Sequence, residues 1–309
     1  MKIAIVGADG VGLLFGAWLA EAGQDVTLID RDPAVVNAIT AAGVLLVDLA
    51  GGVRAIPTRT TTDPARVGPV DLVAVCVKYY ETEAAVRAAA PLIAGETALL
   101  SLQSGWGDAP RIAGLVGAAR VLVGLTDHEV GSLGHGGVAH KERGMTVIGE
   151  LDGRVGDRLA RVTETLGMAG IEVVASAEVV REAWLRLALD AAAQPVRTLL
   201  RYSARQLLEH AGTLSLMGGL LRESVAVAGA QGLALDYDER WGVLMAALER
   251  TPAGEARMQQ DLETNGRTDV DAINGAVVAA GRRLGIPTPY NEAMLWLIRA
   301  QERRDDGVQ

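Results

Sequence analysis

A chain of 309 residues exceeds what one hydrophobic core usually organises and suits two domains. Half of the residues are hydrophobic and only 4% are aromatic, while the formal charge of −9 argues against a nucleic-acid or anionic-membrane partner. Cys76 is the single cysteine, so neither a disulfide framework nor a thiolate metal cluster is expected.

From the N-terminus, KIAIVG reads as a buried strand and GVGLLFGAWLAEAG as a helix closed by Gly23. DVTLID is a second strand and DPAVVNAITAAG a second helix. VDLVAVCVK, TALLSLQ, RVLVGLTD and MTVIGELD follow as strands, with the helix ETEAAVRAAAPLI between the first two. LVAVCVK makes Cys76 an inert core thiol, not a nucleophile. The piece GSLGHGGVAHKERG reads as a hairpin-like excursion, RLARVTETLGMAG as a helix and IEVVAS as a strand. This alternation predicts an α/β fold with a Rossmann-type, doubly wound parallel sheet.

Beyond residue 176 the texture becomes helical: EVVREAWLRLALDAAAQPVRTLL, LSLMGGLLRESVAVAGAQG, RWGVLMAALERT, VDAINGAVVAAGRRLG and NEAMLWLIRAQERR all carry helical apolar spacing. The expected organisation is a dinucleotide-binding domain over 1–176 and an all-helical substrate and catalytic domain over 177–309, with a frayed tail RDDGVQ. No apolar run is long enough to span a membrane and the N-terminus enters a strand at once, so a cytoplasmic, bacterial protein without a signal peptide is expected.

The fingerprint of a dinucleotide loop, G-x-G-x-x-G after a strand, stands here as G-A-D-G-V-G. Gly7, Gly10, Val11 and Gly12 are expected to cradle the cofactor, with Asp9 in place of the middle glycine. Asp9 has three readings. It repels the diphosphate, by from ~1 kcal/mol in water to ~4 at intermediate dielectric when about 4 Å away. Alternatively it is harmless, since Asp tolerates left-handed backbone and its side chain can turn to solvent. Or it caps the helix and fills the anion site itself. Asp30 ends the second strand, where an acid takes ribose hydroxyls and favours NAD; Arg31 follows and could hold the extra phosphate of NADP. NAD is favoured slightly.

Together MKIAIVGADGVGLLFGAWLAEAGQDVTLIDR, VDLVAVCVKYYET, LSLQSGWG, GGVAHKERGMTVIGE, AWLRLALDAAAQP and TDVDAINGAVVAAGRRLGIPTPYNEAML resemble the ketopantoate reductase (2-dehydropantoate 2-reductase) family over nearly the whole chain. The resemblance implies reduction of a 2-keto acid with NAD(P)H in a cleft between the domains, hydride going to the carbonyl carbon and a lysine protonating the oxygen. Lys78 and Thr82 match the family's VK-x-x-x-T piece, with Lys78 facing cofactor and substrate. Ser104 stands where the family usually has an asparagine near the nicotinamide.

The helix AWLRLALDAAAQP departs further. Arg186, Asp190 and Gln194 are spaced i, i+4, i+8 on one helix face, where the family usually shows Lys, Asn and Asn. The lysine is the family's general acid; a guanidinium is a poor proton donor but can stabilise a developing alkoxide. Asp190 could pair with Arg186, receive a proton, or select a cationic or neutral substrate, or the two could form an ordinary helix-face ion pair. Asp269 replaces the family's glutamate; otherwise it is a first-turn acid of a helix, with Thr268 and Asp271 as a capping-box-like pair. Ala256 and Arg257 replace a serine pair that touches the substrate carboxylate, and Arg257 could grip that anion or be solvated. His128 and His140 match family histidines without metal-ligand spacing, so they read as structural and no metal is expected. Trp106 replaces a smaller residue and is expected to reshape the pocket.

The preferred expectation is an NAD(P)H-dependent oxidoreductase acting on a small-molecule carbonyl substrate altered from ketopantoate, in which Lys78 or Asp190 delivers the proton and Arg186 steadies the oxygen. A homodimer is left open. Two alternatives stand beside it: a lapsed binding or scaffold protein, suggested by Asp9 and Arg186, and a cofactor-independent cyclisation or elimination by Arg186 and Asp190.

Overall fold

The computed structural model describes residues 1–103, 105–250 and 257–302; the expectations for Ser104, Ala256 and the tail fall outside them. The chain divides into two compact units, Met1–Gln103 with Asp108–Val180, and Ser104–Gly107 with Arg181–Gln309. No helix among the described residues is long and apolar enough to cross a membrane.

The first unit runs β1 (Lys2–Val6), α1 (Gly10–Glu21), β2 (Asp25–Ile29), α2 (Pro33–Ala42), β3 (Val44–Val47), β4 (Val53–Ile56), β5 (Arg59–Thr61), β6 (Leu72–Val75), α3 (Thr82–Ala88), β7 (Ala98–Ser101), α4 (Asp108–Val116), β8 (Val121–Thr126), β9 (Glu129–Ser132), β10 (Gly137–Glu142), β11 (Thr146–Glu150), α5 (Asp157–Met168) and β12 (Val173–Ala175). Eight strands form one sheet in the order β12-β11-β8-β7-β6-β1-β2-β5. All neighbours run parallel except β11 against β8. The central strands β6 and β7 are buried at every residue, which is why they are continuous apolar runs without alternation. The winding reverses at β1, which pairs β2 on one side and β6 on the other. Such a reversal opens a crevice at the carboxyl ends of the strands.

α1 is the helix that seals this sheet. It is apolar on nearly every side, burying Leu13, Leu14, Phe15, Ala17 and Leu19. Its opposite side meets a second sheet, ordered β4-β3-β10-β9. The glycine-rich excursion is a hairpin, as expected, but it belongs to this sheet, which the sequence reading did not contain. Alternation explains the sheet: Val44, Leu46, Ile56 and Val138 enter the α1 core, while Leu45 and Val53 face out.

His128, between β8 and β9, and His140, on β10, are buried in this core against Trp18 and Phe15. The Gly144 N–H donates to His128 Nδ1 at 3.2 Å, so that nitrogen is an acceptor and His140 Nε2, 3.0 Å away, is the donor. Burial lowers the pKa of both rings; for His128 the charge of His140 lowers it further.

The second unit contains α6 (Val179–Leu200), which starts two residues before it, then α7 (Ala204–Glu209), α8 (Ala211–Ala230), α9 (Tyr237–Arg250), α10 (Arg257–Asn265), α11 (Asn274–Leu284) and α12 (Pro289–Gln301). Its core gathers Ala188, Ala192, Val196, Leu207, Met217, Leu220, Leu244 and Met294. Pro195 lies inside α6 and has no N–H to give Ala191 O, four residues back. Asn274 of α11 supplies the missing donor, its Nδ2 bonding Ala191 O at 3.1 Å and Asn291 Oδ1 at 3.0 Å. Asn291 continues to Leu220 O and to Glu223 of α8. A polar spine thus ties α6, α11, α12 and α8 together where an unpaired buried carbonyl would cost about 1–3 kcal/mol.

One helix start is corrected. α11 begins at Asn274, not at TDVDAI, so Asp269 is not in its first turn. Thr268 bonds Glu302 and Asp271 bonds Arg299; the two do not form a capping box. These long-range partners hold 268–273 as a turn that the local sequence does not announce.

The histidine pair carries a pH signature. Unfolded imidazoles titrate near pH 6.5, above the folded pair, so the unfolded chain takes up more protons as pH falls through that value. Stability is therefore fully present above the unfolded pKa and declines below it. Urea midpoints are expected to fall between about pH 7.5 and about pH 5.5, with a shallower fall in His140→Gln. An equal slope in both proteins would assign the loss to other groups.

Candidate functional site

The carboxyl end of β1 runs into a loop that only glycine can build at two places. Gly7 has φ +103, and a Cβ on it would lie 2.9 Å from Cys76 C and Val77 N. Gly12 sits against Gly7 O, so a Cβ on Gly12 would fall inside that oxygen's van der Waals shell. Gly10 adopts φ +46, and its missing side chain would meet only Val130 Cγ2, at 3.5 Å. The loop is therefore closed on the strand side and open above Gly10. The first N–H groups of α1, at Gly10 and Val11, have no intrahelical acceptor and suit an anion. This cradle fits a diphosphate.

Asp9 does not spoil the cradle's backbone. It is the N-cap of α1 with φ −141 and ψ 158, extended geometry that any residue adopts. Its side chain is exposed and makes no capping hydrogen bond. The self-capping reading is thus corrected, and so is the appeal to left-handed backbone: the positive φ angles fall on Gly7 and Gly10 instead.

Asp30, just past β2, is fastened to the same loop. Its Oδ2 accepts the Ala8 N–H at 2.8 Å and its Oδ1 accepts the Asp32 N–H at 2.9 Å. Each oxygen keeps a lone pair for a ribose hydroxyl. Arg31 is 84% exposed and forms an ion pair with Glu81.

Lys78 follows β6 and precedes a 3-10 turn over Tyr79–Glu81. Around its backbone lies a buried network the sequence reading missed apart from Thr82. Gln103 Nε2 donates to Val77 O at 2.8 Å and reaches Thr82 Oγ1 and Asp108 Oδ1 at 2.7 and 2.9 Å. The Thr82 hydroxyl donates to Asp108 Oδ1 at 2.6 Å. The available signal was the acid opening α4 five residues after Gln103. Packing around Cys76 pushes its thiol up to about 12, which leaves it an unreactive thiol.

In the second unit, Arg186, Asp190 and Gln194 share a half-buried face of α6. Gln194 links two elements: its Nε2 donates to Asp190 Oδ1 at 2.8 Å, and its Oε1 accepts the Met258 N–H of α10 at 3.2 Å. Arg257, beside Met258, is exposed. Asp269 is buried, its backbone carbonyl accepting the N–H groups of Ala272 and Ile273. Trp106 donates its N–H to Ala272 O at 3.1 Å and its ring packs beside Trp184 of α6.

A cavity of about 430 Å³ lies elsewhere in the first unit, lined by Trp18, Arg54, His128, His140, Arg143 and Glu172 among others. Trp18 is about 12 Å along α1 from Gly10, at 1.5 Å per residue, so this cavity is not the fingerprint site. Among the described residues, no group of three or more His, Cys, Asp or Glu is arranged to hold a metal ion.

Comparison with known proteins extends over both units. The ketopantoate reductase PanE/ApbA family matches residues 3–153, and its C-terminal counterpart, ketopantoate reductase PanE/ApbA C terminal, matches 178–302. The 2-dehydropantoate 2-reductase of Halobacterium salinarum is 31% identical over 305 residues, covering 98% of this chain and 99% of that one. The crystal structure of a PanE/ApbA family ketopantoate reductase from Ralstonia eutropha superposes with a TM-score of 0.89 at 31% identity, covering 98% of both chains. A D-mandelate dehydrogenase solved in complex with NADH gives a TM-score of 0.87 at 25% identity, covering 98% of this chain and 99% of that one. With both family segments matched in order along nearly the full length, this chain belongs to the ketopantoate reductase family.

Proposed function

We propose that the protein is an NAD(P)H-dependent oxidoreductase that reduces the ketone of a 2-keto acid or a closely related carbonyl compound. The observation that carries this reading is the glycine cradle at the α1 N-terminus with Asp30 fastened to it through Ala8, in a chain of this family. When bound, a reduced nicotinamide supplies the hydride that turns the carbonyl into an alcohol. Residues 1–176 hold the dinucleotide and residues 177–309 bring the groups that contact substrate.

Within this reading Gly7, Gly10, Val11 and Gly12 receive the diphosphate, and Asp30 receives the ribose hydroxyls. Arg31 spends its charge on Glu81, which leaves less for an extra phosphate and favours NADH over NADPH. Asp9 is a nearby like charge, exposed enough that its repulsion is a small one. Lys78 or Asp190 delivers the proton, and Arg186 steadies the oxygen as charge develops on it. Gln194, Asp269 and Arg257 complete the substrate contacts. The changes at 104, 186, 190, 194 and 257 relative to the family pattern favour a substrate altered from ketopantoate. One free cysteine suits the reducing cytoplasm, and a homodimer is one open arrangement.

The scaffold and non-redox readings gain no support. The cradle is built, Asp9 leaves it open, and the Asp190 carboxylate is engaged by Gln194. Oxidation of NADH and NADPH, followed by loss of absorbance with a panel of 2-keto acids including ketopantoate, tests the proposal. Turnover that needs both cofactor and keto acid is expected; consumption of a substrate without cofactor would replace the reductase reading with the non-redox one.

Asp9 gives a second expectation. Asp9→Asn is expected to tighten NADH binding about fivefold at low ionic strength, the equivalent of ~1 kcal/mol of removed repulsion. The gain should vanish near 1 M salt, where the screening length is about 3 Å. An unchanged dissociation constant at low salt would mean that the carboxylate lies too far from the phosphates to matter.

A further inference from the structure

We propose that Thr82, Gln103 and Asp108 form a buried clamp that positions Lys78 as the proton donor of the reduction, the part that Arg186 is chemically unsuited to take. The inference rests on the reductase reading above and deepens it.

The sequence contains three lysines, Lys2, Lys78 and Lys141, against a total of 29 basic residues. Lys2 Nζ donates to Val67 O at 2.7 Å, at the amino end of β1. Lys141 stands on β10 in the second sheet, its stem lying over Gly131. Lys78 is the lysine at the carboxyl end of a central strand, one residue beyond Val77, whose backbone nitrogen touches the Gly7 turn. A guanidinium holds its protons across the working pH range, and Asp190 already accepts a hydrogen bond from Gln194.

Lysine has a flexible four-carbon stem, so its delivery depends on how firmly its backbone is held. Two consecutive carbonyls are held here. Val77 O accepts Gln103 Nε2 at 2.8 Å, and Lys78 O accepts the Glu81 N–H at 2.9 Å with the Thr82 hydroxyl 3.4 Å away. Gln103 and Thr82 are in turn joined through Asp108 Oδ1. Thr82 is fully buried and Asp108 is 2% exposed. A carboxylate so buried demands charge-assisted partners, and its place as the first residue of α4 adds the favourable helix dipole. In the chemical step the hydride forms a C–H bond as the carbonyl π bond breaks. One Lys78 N–H bond breaks and an O–H bond forms, and the neutral amine regains its proton from water.

The test uses two readouts. Reductive ¹³C-methylation of the cofactor-free protein keeps each lysine charged and gives three lysine signals beside the amino terminus, assigned with Lys78→Arg. Thr82→Val is expected to change the shift and pH titration of the Lys78 signal while those of Lys2 and Lys141 stay. In unmethylated enzyme it is expected to lower kcat roughly 10- to 100-fold with KM changed little. Thr82→Ser, which keeps the hydroxyl, should restore both. Lys78→Arg should lose on the order of 100-fold or more in kcat. If Thr82→Val does not fold, Gln103→Leu replaces it in the same comparison. A folded clamp variant with an unchanged Lys78 signal and kcat would overturn the clamp, and near-normal kcat in Lys78→Arg would overturn the donor. Wild-type protein that reduces no keto acid would sink the reductase reading, while the methyl signals would still decide the clamp.

Discussion

The close approach of α1 to the end of β1 is the constraint on which the rest of the first unit depends. Gly12 lies against Gly7 O with no room for a side chain, and Gly7 itself lies against the backbone of Cys76 and Val77. Three strand ends therefore meet: β1 at Gly7, β2 through the Asp30–Ala8 bond, and β6 at Val77. That packing aims the helix amides at an open space and sets Lys78 one residue from it. It also explains why a fingerprint can lose its middle glycine. The backbone at Asp9 is extended, so the position needs no glycine for conformation, only tolerance of the charge.

The second unit solves a different problem, which is how to keep a helix carrying polar residues on one face firmly in place. Pro195 costs α6 a backbone hydrogen bond inside the helix. Asn274 makes it good from a neighbouring helix, and Asn291 and Glu223 extend the repair to α8. The freed carbonyl belongs to Ala191, immediately after Asp190, so the polar spine holds the very turn that presents Asp190 and Gln194. The Met258 N–H on Gln194 Oε1 fixes the same face to α10.

Much of the fold was legible because buried parallel strands are continuous apolar runs and their helices carry clear periodicity. KIAIV, LVAV and ALLS could hardly be anything else. The second sheet was not legible: β3 and β4 have four residues each and are half exposed, although the Asp48–Gly52 turn between them carried a glycine signal. At the site, the cradle and Asp30 were readable from spacing. The pairing of Arg31 with Glu81 and the Gln103–Thr82–Asp108 network were not, since each joins residues far apart in sequence. The start of α11 failed for the same reason, with Glu302 and Arg299 capturing the side chains that would have capped it.

The measurement that bears most directly on the central claim is a titration of the wild-type protein with NADH and with NADPH, followed by cofactor fluorescence. Saturable binding of both, tighter for NADH, is the result this account predicts from the open cradle, the Asp30 carboxylate and the Arg31–Glu81 pair. Failure of both cofactors to bind at any salt concentration would contradict it, because the glycine cradle would then hold no dinucleotide and the reductase reading would have no cofactor to act with.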